Sequence, residues 1–577
     1  MKRFLKTAAS AALAALTAIT VLAACSGTSN SPSGNNAAPS AAPSAAPPSA
    51  AADNSGPPLF KKYDPPITIT TARWVNGDLD SKYRSGDSWD NNVWTRHLQD
   101  TYGIIFKDDW TAPGWGDFEQ KLSLNLAAGE AMPDVIFDFY NPGNATLAKI
   151  MENYDLLMPM SANYDKYASD FVKQSQAPVL KSLRAPFTVN GELYALPNAN
   201  DGMGNENCMY YRKDWLDAAG VGIPQTMDDL DKVLAALKAA DSSRTPIAFG
   251  WKDNLVTYLA ETSWVFGAYG AIPTIWMKDS SGKLVYGSIQ PQIKDGLAKL
   301  REWYANGYID SQAAMNNVWD ATGKDFAGEK SGVISGPSWL YSQISGSLLV
   351  NNPNAVVVPG PTPSGPSGKA MELGYNPLAN AFFFSKDFKN IEAFFDYYNS
   401  IFEAQNPNSA YPIYQYGYVQ GMDYNLDASG NPVYGDDMKT VDPLGYYDGW
   451  DGLMVGYNSF STVPFAKYEI YTKLASGAAP VSPAEKRLAA DSDLVKSASA
   501  MIYSQKGIGL VDAYYGPAPS NATVWDNLQK MEFNTFLQII YGQAPLDDFD
   551  TFVTNWKAQG GDDVTKEFND WYAANAK

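Results

Sequence analysis

Short apolar strands separated by amphipathic helices confine this chain to an α/β fold. Ile67-Thr68-Ile69-Thr70 reads as a first strand, and Asp117 to Ala128 as a helix with Phe118, Leu122 and Leu126 on one face and Gly129 as its stop. A buried strand, Asp134-Val135-Ile136-Phe137, follows. Strand, helix and strand at this spacing form a parallel crossover unit, because parallel strands cannot be joined by a tight turn. The style returns downstream. Thr226 is a good N-cap before Met227, Leu230, Val233, Leu234 and Leu237, which recur at helical spacing. Pro291 opens a helix carrying Ile293, Leu297, Leu300 and Tyr304 and closing at Gly307. Gly332-Val333-Ile334-Ser335 reads as a strand, and Ile391 to Phe402 as a helix with Ile391, Phe394, Phe395 and Tyr398 inward. No solenoid-type period interrupts this alternation.

A chain of 577 residues, 45% of them apolar, can build several domains or two large lobes of one ligand-binding unit. Mean hydropathy is −0.28, ordinary for a soluble body. The net charge of −19 argues against nucleic acid, which needs a basic footprint, and against a flat seat on anionic lipid.

The N-terminus carries its own instruction. Lys2, Arg3 and Lys6 precede an apolar stretch from Ala8 to Ala24 that ends in small residues, the layout of a secretory signal peptide. The run Leu22-Ala23-Ala24-Cys25 resembles the lipobox of bacterial lipoproteins, which implies cleavage before Cys25 and acylation of its thiol. Two or more acyl chains, at about 0.8 kcal/mol per buried CH₂, make a stable anchor. The alternative, an uncleaved transmembrane anchor, fits the short h-region poorly, since Thr7, Ser10, Thr17 and Thr20 interrupt it. Residues 26–58 form a Ser/Pro/Ala/Gly/Asn tract without apolar periodicity, a spacer between membrane and folded body.

With Cys25 lipidated, Cys208 stands alone and is expected to be a buried, inert thiol. His97 is the single histidine, so Ser-His-Asp, Cys-His and His-rich metal chemistry would all have to use it. No Gly-Lys-Ser/Thr phosphate loop occurs, so any ATPase is a separate subunit. No cofactor or metal is expected. Asp279-Ser-Ser-Gly-Lys283 and Asp427-Ala-Ser-Gly-Asn431 hold oxygen donors around a glycine but lack a distal bidentate Glu, and read as β-turns rather than calcium loops.

Five stretches carry a family resemblance. Lys121 to Phe137 resembles the "LAAGDxPDI" segment of ABC-transporter solute-binding proteins. Gly191 to Pro197 is similar to their "GKxYALP" strand, and Tyr210 to Gly220 with Ile223 to Thr226 to their "YYRKDLLDKAGI-xPxT" segment. Phe326 to Trp339 matches "FxxGKxAMxxxGxW", and the tail from Ile539 through Trp556 to Tyr572 also fits. On these motifs the chain is identified as a family 1 extracellular solute-binding lipoprotein of the carbohydrate-binding branch, from Leu59 to its end. The resemblance implies a class II periplasmic-binding-protein-like fold, with two discontinuous α/β lobes joined by a hinge and a ligand cleft between them. It places residues 59–197 with 360–410 in one lobe and 198–359 with 411–577 in the other. Crossings are expected near 196–200, near 356–363 and around 405–415. A monomer that captures an oligosaccharide outside the membrane and delivers it to ABC permease subunits is the function implied.

Ligands of parallel sheets meet the carboxyl ends of strands, where a sugar needs an aromatic face beside acids or amides. Four strand ends supply such residues: Trp74, Asn76 and Asp78; Asp138 and Tyr140; Trp251; and Trp339. Trp339 leads, because the family places a sugar-stacking aromatic at the "GxW" position, and Asp138 follows for the same kind of reason. Glu206, Arg212, Trp264 and Trp450 complete the candidates. Two other readings stay open: an extracellular carbohydrate-active enzyme, which needs only two carboxylates, and the same fold binding peptides or polyols.

Overall fold

The computed structural model describes residues 61–75, 86–88, 90–139, 145–177, 179–199, 202–203, 206–375, 378–406, 409, 411–421, 424–441, 463–516 and 519–575. All belong to the compact unit Asn54–Lys577. The signal segment and spacer, Cys25, Asn76, Asp78, Tyr140 and Trp450 lie outside the described residues, as does the side chain of Asp138.

The strands that position the site are β1 (Ile67–Trp74), β2 (Ile104–Ala112), β3 (Val135–Phe139), β4 (Leu196–Ala199), β5 (Cys208–Arg212), β6 (Val333–Gly336), β7 (Val357–Gly360), β8 (Glu372–Gly374), β9 (Leu378–Phe384) and β10 (Gly509–Val511). The first sheet runs β2-β1-β3-β9-β4. β1 pairs in parallel with β2 (Ile67 opposite Ile104) and with β3 (Thr71 opposite Val135). β9 runs antiparallel to both neighbours, with Phe382 opposite Phe137 on β3 and Ala381 opposite Pro197 on β4. A reciprocal clamp sets the β1–β3 register: Thr70 N–H donates to Asp134 Oδ2 at 2.9 Å, and Asp134 N–H to Thr70 Oγ1 at 3.0 Å.

The expected crossover helix spans Trp115–Ala128, buries Phe118, Leu122 and Leu126, and ends on Gly129. With the helix Ile391–Glu403 it covers the sheet, so Ile69, Ile136, Phe383 and Phe394 are fully buried in one core. Gly191 to Tyr194 belongs to a hairpin, Thr188–Val189 paired with Glu192–Leu193.

A second core forms around the antiparallel sheet β6-β5-β7. The helices Met227–Ala240 and Ile293–Ala305 pack on it as the periodicity predicts, with Thr226 Oγ1 accepting from Asp229 N–H at 3.1 Å. The C-terminal helices Ala522–Ile540, Asp548–Trp556 and Asp562–Asn575 join the same core through Phe536, Trp556 and Phe568. Ile247 to Phe249, the strand-like run before Trp251, reduces to single bridges from Ile247 to Val333 and Ile309.

The first core draws on residues 63–199 and 378–419, the second on residues that resume at Met203. This moves two of the expected boundaries. Residues 360–375, expected in the first lobe, stay with the second: Thr362 N–H donates to Gln505 Oε1 at 2.7 Å, and Gly365 lies against the Ala268 carbonyl. Tyr414, Tyr418 and Val419, expected in the second lobe, are buried in the first core. The physical reason is pairing: the strand returning to the first sheet is β9, and the preceding β8 pairs with β10. Among the described residues no helix is long and apolar enough to cross a membrane.

Candidate ligand-binding site

Strand direction brings the relevant ends together. In the first sheet β1, β2, β3 and β4 all point one way, so Trp74, Ala112, Phe139 and Ala199 share an edge with the start of β9 at Leu378. In the second sheet the antiparallel register places Gly336 opposite Cys208 and Gly360 opposite Met209. The carboxyl ends of β6 and β7 therefore flank the start of β5. Chain passes between the cores at these edges: from β4 to β5, from β8 to β9, and between Val463, which packs on the first core, and Phe465, which packs on the second. Gly202, at φ +85°, sits so close to the Phe465 ring that a Cβ would lie 2.7 Å from it. Tyr468 Oη donates to the Met203 carbonyl at 2.8 Å, fastening the third passage to the first.

Trp339 lies three residues past the end of β6, half-buried. The turn that carries it is held by Tyr210 Oη, which donates to the Pro337 carbonyl at 2.8 Å. Two more aromatics converge there. Tyr258 and Trp319 have their ring centroids 6.4 Å and 6.1 Å from that of Trp339, and 6.4 Å from one another. Burial raises the Tyr258 pKa, a hydrogen bond with Trp319 offsets part of the rise, and the nearby Asp253 carboxylate adds to it. The loop carrying Tyr258 also touches the second passage, where Tyr375 Oη donates to the Thr257 carbonyl at 3.1 Å. An aromatic surface with exposed Lys252 and Asp253 beside it thus lies where the chain crosses between cores. Such a surface can hold the C–H face of a ligand while polar side chains meet its hydroxyls.

Trp74 caps the first sheet at its matching edge. It packs edge-on to Phe118 at 5.6 Å and stacks with Phe137 at 6.1 Å, yet stays half-buried. Three candidates are corrected to core. Trp251 is fully buried and stacked on Phe249 at 5.2 Å. Trp264 is buried with its Nε1–H donating to the Glu261 carbonyl at 2.9 Å. Arg212 sits at the far end of β5, fully buried under ion pairs with Asp214 at 2.7 Å and Glu329 at 3.0 Å. Fully buried at the opposite end of the strand from the shared edges, this guanidinium is out of a ligand's reach there.

Glu206 is half-buried beside Gly509 and belongs to a different feature. Asn207 N–H donates to Glu372 Oε1 at 3.1 Å, and its side-chain Nδ2 reaches Glu261 Oε1 at 3.4 Å. Thr362 Oγ1 donates to Glu372 Oε2 at 2.9 Å. The first and second passages are laced together by these carboxyls. Burial pushes Glu261 up to about 7 and holds Glu372 well above the ordinary range, with the Glu206 charge adding to the latter.

Trp319 was missed from sequence because it follows no strand. The signal available was an Asn-x-x-Asp capping box: Asn317 Oδ1 accepts from Asp320 N–H at 2.8 Å, and Asp320 Oδ2 from Asn317 N–H at 3.2 Å. The two acidic loops are hairpin turns. Asp279 Oδ1 accepts from Ser281 N–H at 2.8 Å and Lys283 N–H at 3.0 Å, and Asp427 Oδ1 from Ser429 and Asn431 N–H, both at 2.8 Å. Their carboxylates are thereby used within their own turns.

Two α/β cores joined by several chain passages, with aromatics at the shared edges, define a two-lobed binding-protein fold. A family model described as bacterial extracellular solute-binding protein matches residues 99–379. A fructooligosaccharide ABC transporter substrate-binding protein, FusA of Streptococcus pneumoniae, is 28% identical over 282 residues, covering 45% of this chain and 48% of the relative, about half its length. Lipoprotein LipO of Bacillus subtilis is 25% identical over 480 residues, 79% of this chain and 84% of the relative. Among solved structures, an extracellular solute-binding protein from Bifidobacterium longum subsp. infantis superposes with a TM-score of 0.63 at 16% identity, covering 90% of this chain and 100% of that one.

Proposed function

We propose that this protein captures an oligosaccharide at its paired strand edges and hands it, chemically unchanged, to an ABC permease served by a separate ATPase. The observation that carries the reading is the half-exposed cluster of Trp339, Trp319 and Tyr258 beside the three chain passages. The fructooligosaccharide-binding relative supports the same ligand class. Trp74, with Asn76 and Asp78 after β1, Asp138 in β3 and Tyr140 after it, is the first lobe's contribution. Closure over the sugar is a hinge motion driven by the ligand's greater affinity for the closed state.

The protein works as a monomer on the outer face of the cell membrane, tethered through diacylated Cys25 and the spacer 26–58. A lipoprotein among its relatives supports this. Cys25→Ser should release the protein into the medium, read as its loss from the membrane fraction; retention by the variant would refute the anchor.

The ligand assignment is tested by thermal unfolding of the full-length protein against oligosaccharides, monosaccharides and peptides. A ligand at 100 times its Kd adds about 2.7 kcal/mol of stability. The expected result is a rise in Tm with an oligosaccharide recovered intact, abolished in Trp339→Ala. A rise with peptides alone would remove the carbohydrate assignment, and recovery of cleaved sugar would make the protein an enzyme.

A further inference from the structure

Trp319 is 47% exposed, and its indole is one of the largest apolar surfaces a residue can offer. It is also held rigidly. The loop bearing it is zipped onto the segment after Ile247: Trp251 N–H donates to the Ala313 carbonyl at 2.8 Å, and Lys252 N–H to the Asn316 carbonyl at 3.0 Å. Gly250 permits that closeness, since a Cβ there would stand 2.5 Å from the Asn317 carbonyl oxygen. The Asn317–Asp320 capping box then fixes the turn, and a π-helical stretch, Ala321–Phe326, leads away from it. Wide turns of this kind recur where a helix is distorted for function. An exposed indole on a mobile loop would be unremarkable; one fastened at both ends is preorganised.

The geometry of the cluster limits what it can grip. The Trp319 and Trp339 centroids are 6.1 Å apart with planes inclined by 38°. A sugar held between two rings needs carbon contacts of about 3.5–4.0 Å on each side, in addition to its own thickness. The two indoles are too close for that. They form instead one bent patch, closed into a triangle by Tyr258, whose centroid is 6.4 Å from each indole and whose plane is at 34° to Trp339. A bent apolar patch matches two successive sugar rings that twist relative to one another, each laying a C–H face on one indole. Lys252 and Asp253, both exposed, are the polar residues of the same loop that can meet hydroxyls.

On the carbohydrate reading above, we propose that Trp319 forms a second sugar subsite contiguous with that of Trp339, so the protein selects saccharides of at least two consecutive rings. Trp319 is a specificity-determining contact and Gly250 is its positioning residue.

The test uses the full-length protein with 1-kestose, maltotriose, cellotriose and xylotriose. For each trisaccharide that binds, N-bromosuccinimide oxidation of Trp319, read by peptide mass spectrometry, should slow at least about fivefold at saturation. Trp319→Ala should weaken that binding about tenfold, equivalent to about 1.4 kcal/mol, with Trp319→Phe retaining most of it. Gly250→Ala, whose Cβ must push the Asn317 backbone away, should reproduce the loss together with a lowered Tm. If a trisaccharide binds while Trp319 oxidises as fast as in its absence, or Trp319→Ala binds as tightly as the parent protein, the subsite does not exist although the carbohydrate reading stands. If no saccharide binds the parent protein, both fall together.

Discussion

Single residues divide here by burial rather than by type. Trp251, Trp264, Trp319 and Trp339 are the same residue type, yet two are sealed in the core and two face outward. Nothing in the local sequence separates them, because burial depends on what packs against each from residues tens to hundreds of positions away: Trp251 is covered in part by Tyr541. Cys208 shows the opposite case. Its isolation was plain in the sequence, and in the structure it is fully buried, with burial pushing the thiol far above its usual range. It should resist alkylation in the native protein and react only after denaturation, followed by mass spectrometry with iodoacetamide; native labelling would contradict the burial. Glu261 carries a pH signature. Folding raises its carboxyl from 4.5 to about 7. The folded state thus favours the protonated form, so stability is greatest below pH 4.5 for this group and declines as pH rises through 7. Tm of the parent protein should therefore fall relative to Glu261→Gln between pH 5 and 8. His97, held neutral by burial down to about 4, has the opposite slope but cancels in that comparison.

Elements were the most legible scale. Helical periodicity and end signals located Trp115–Ala128, Met227–Ala240, Ile293–Ala305 and Ile391–Glu403 to within a few residues. These signals are local: an N-cap hydroxyl serves an N–H three residues on. Thr226→Ala should lower stability by about 1 kcal/mol, measured by denaturant unfolding, since Thr226 Oγ1 satisfies Asp229 N–H. Strands were less legible. Ile247 to Phe249 has the composition of a strand, but its neighbours provide only two isolated bridges. Trp319 sits on a three-residue helix running into a π-helical turn, an element with no periodicity to detect.

For the whole molecule, the three passages at one pair of edges make bending the natural large motion. Radius of gyration from small-angle X-ray scattering should decrease when a stabilising sugar is added to saturation; an unchanged value would mean the lobes do not close. Gly202 faces the Phe465 ring with no room for a Cβ and has a positive φ. Gly202→Val should lower Tm and also alter the ligand-induced change in radius, whereas a purely local defect would lower Tm alone.

The fold class, the main helices and strands, the expectation of a lipidated leader, and the candidacy of Trp339 all came from the sequence alone, because each rests on neighbours in the chain or on a contiguous motif. Tertiary structure alone decided which strand carries the chain back to the first sheet. The Pro/Gly-rich chain after residue 360 suits a change of lobe, and only the pairing of β8 with β10 and of β9 with β3 and β4 places the return at Leu378. It likewise decided which aromatics meet. Tyr258, Trp319 and Trp339 are separated by up to 81 positions and become one surface only when the loop around Asn317 closes on Gly250.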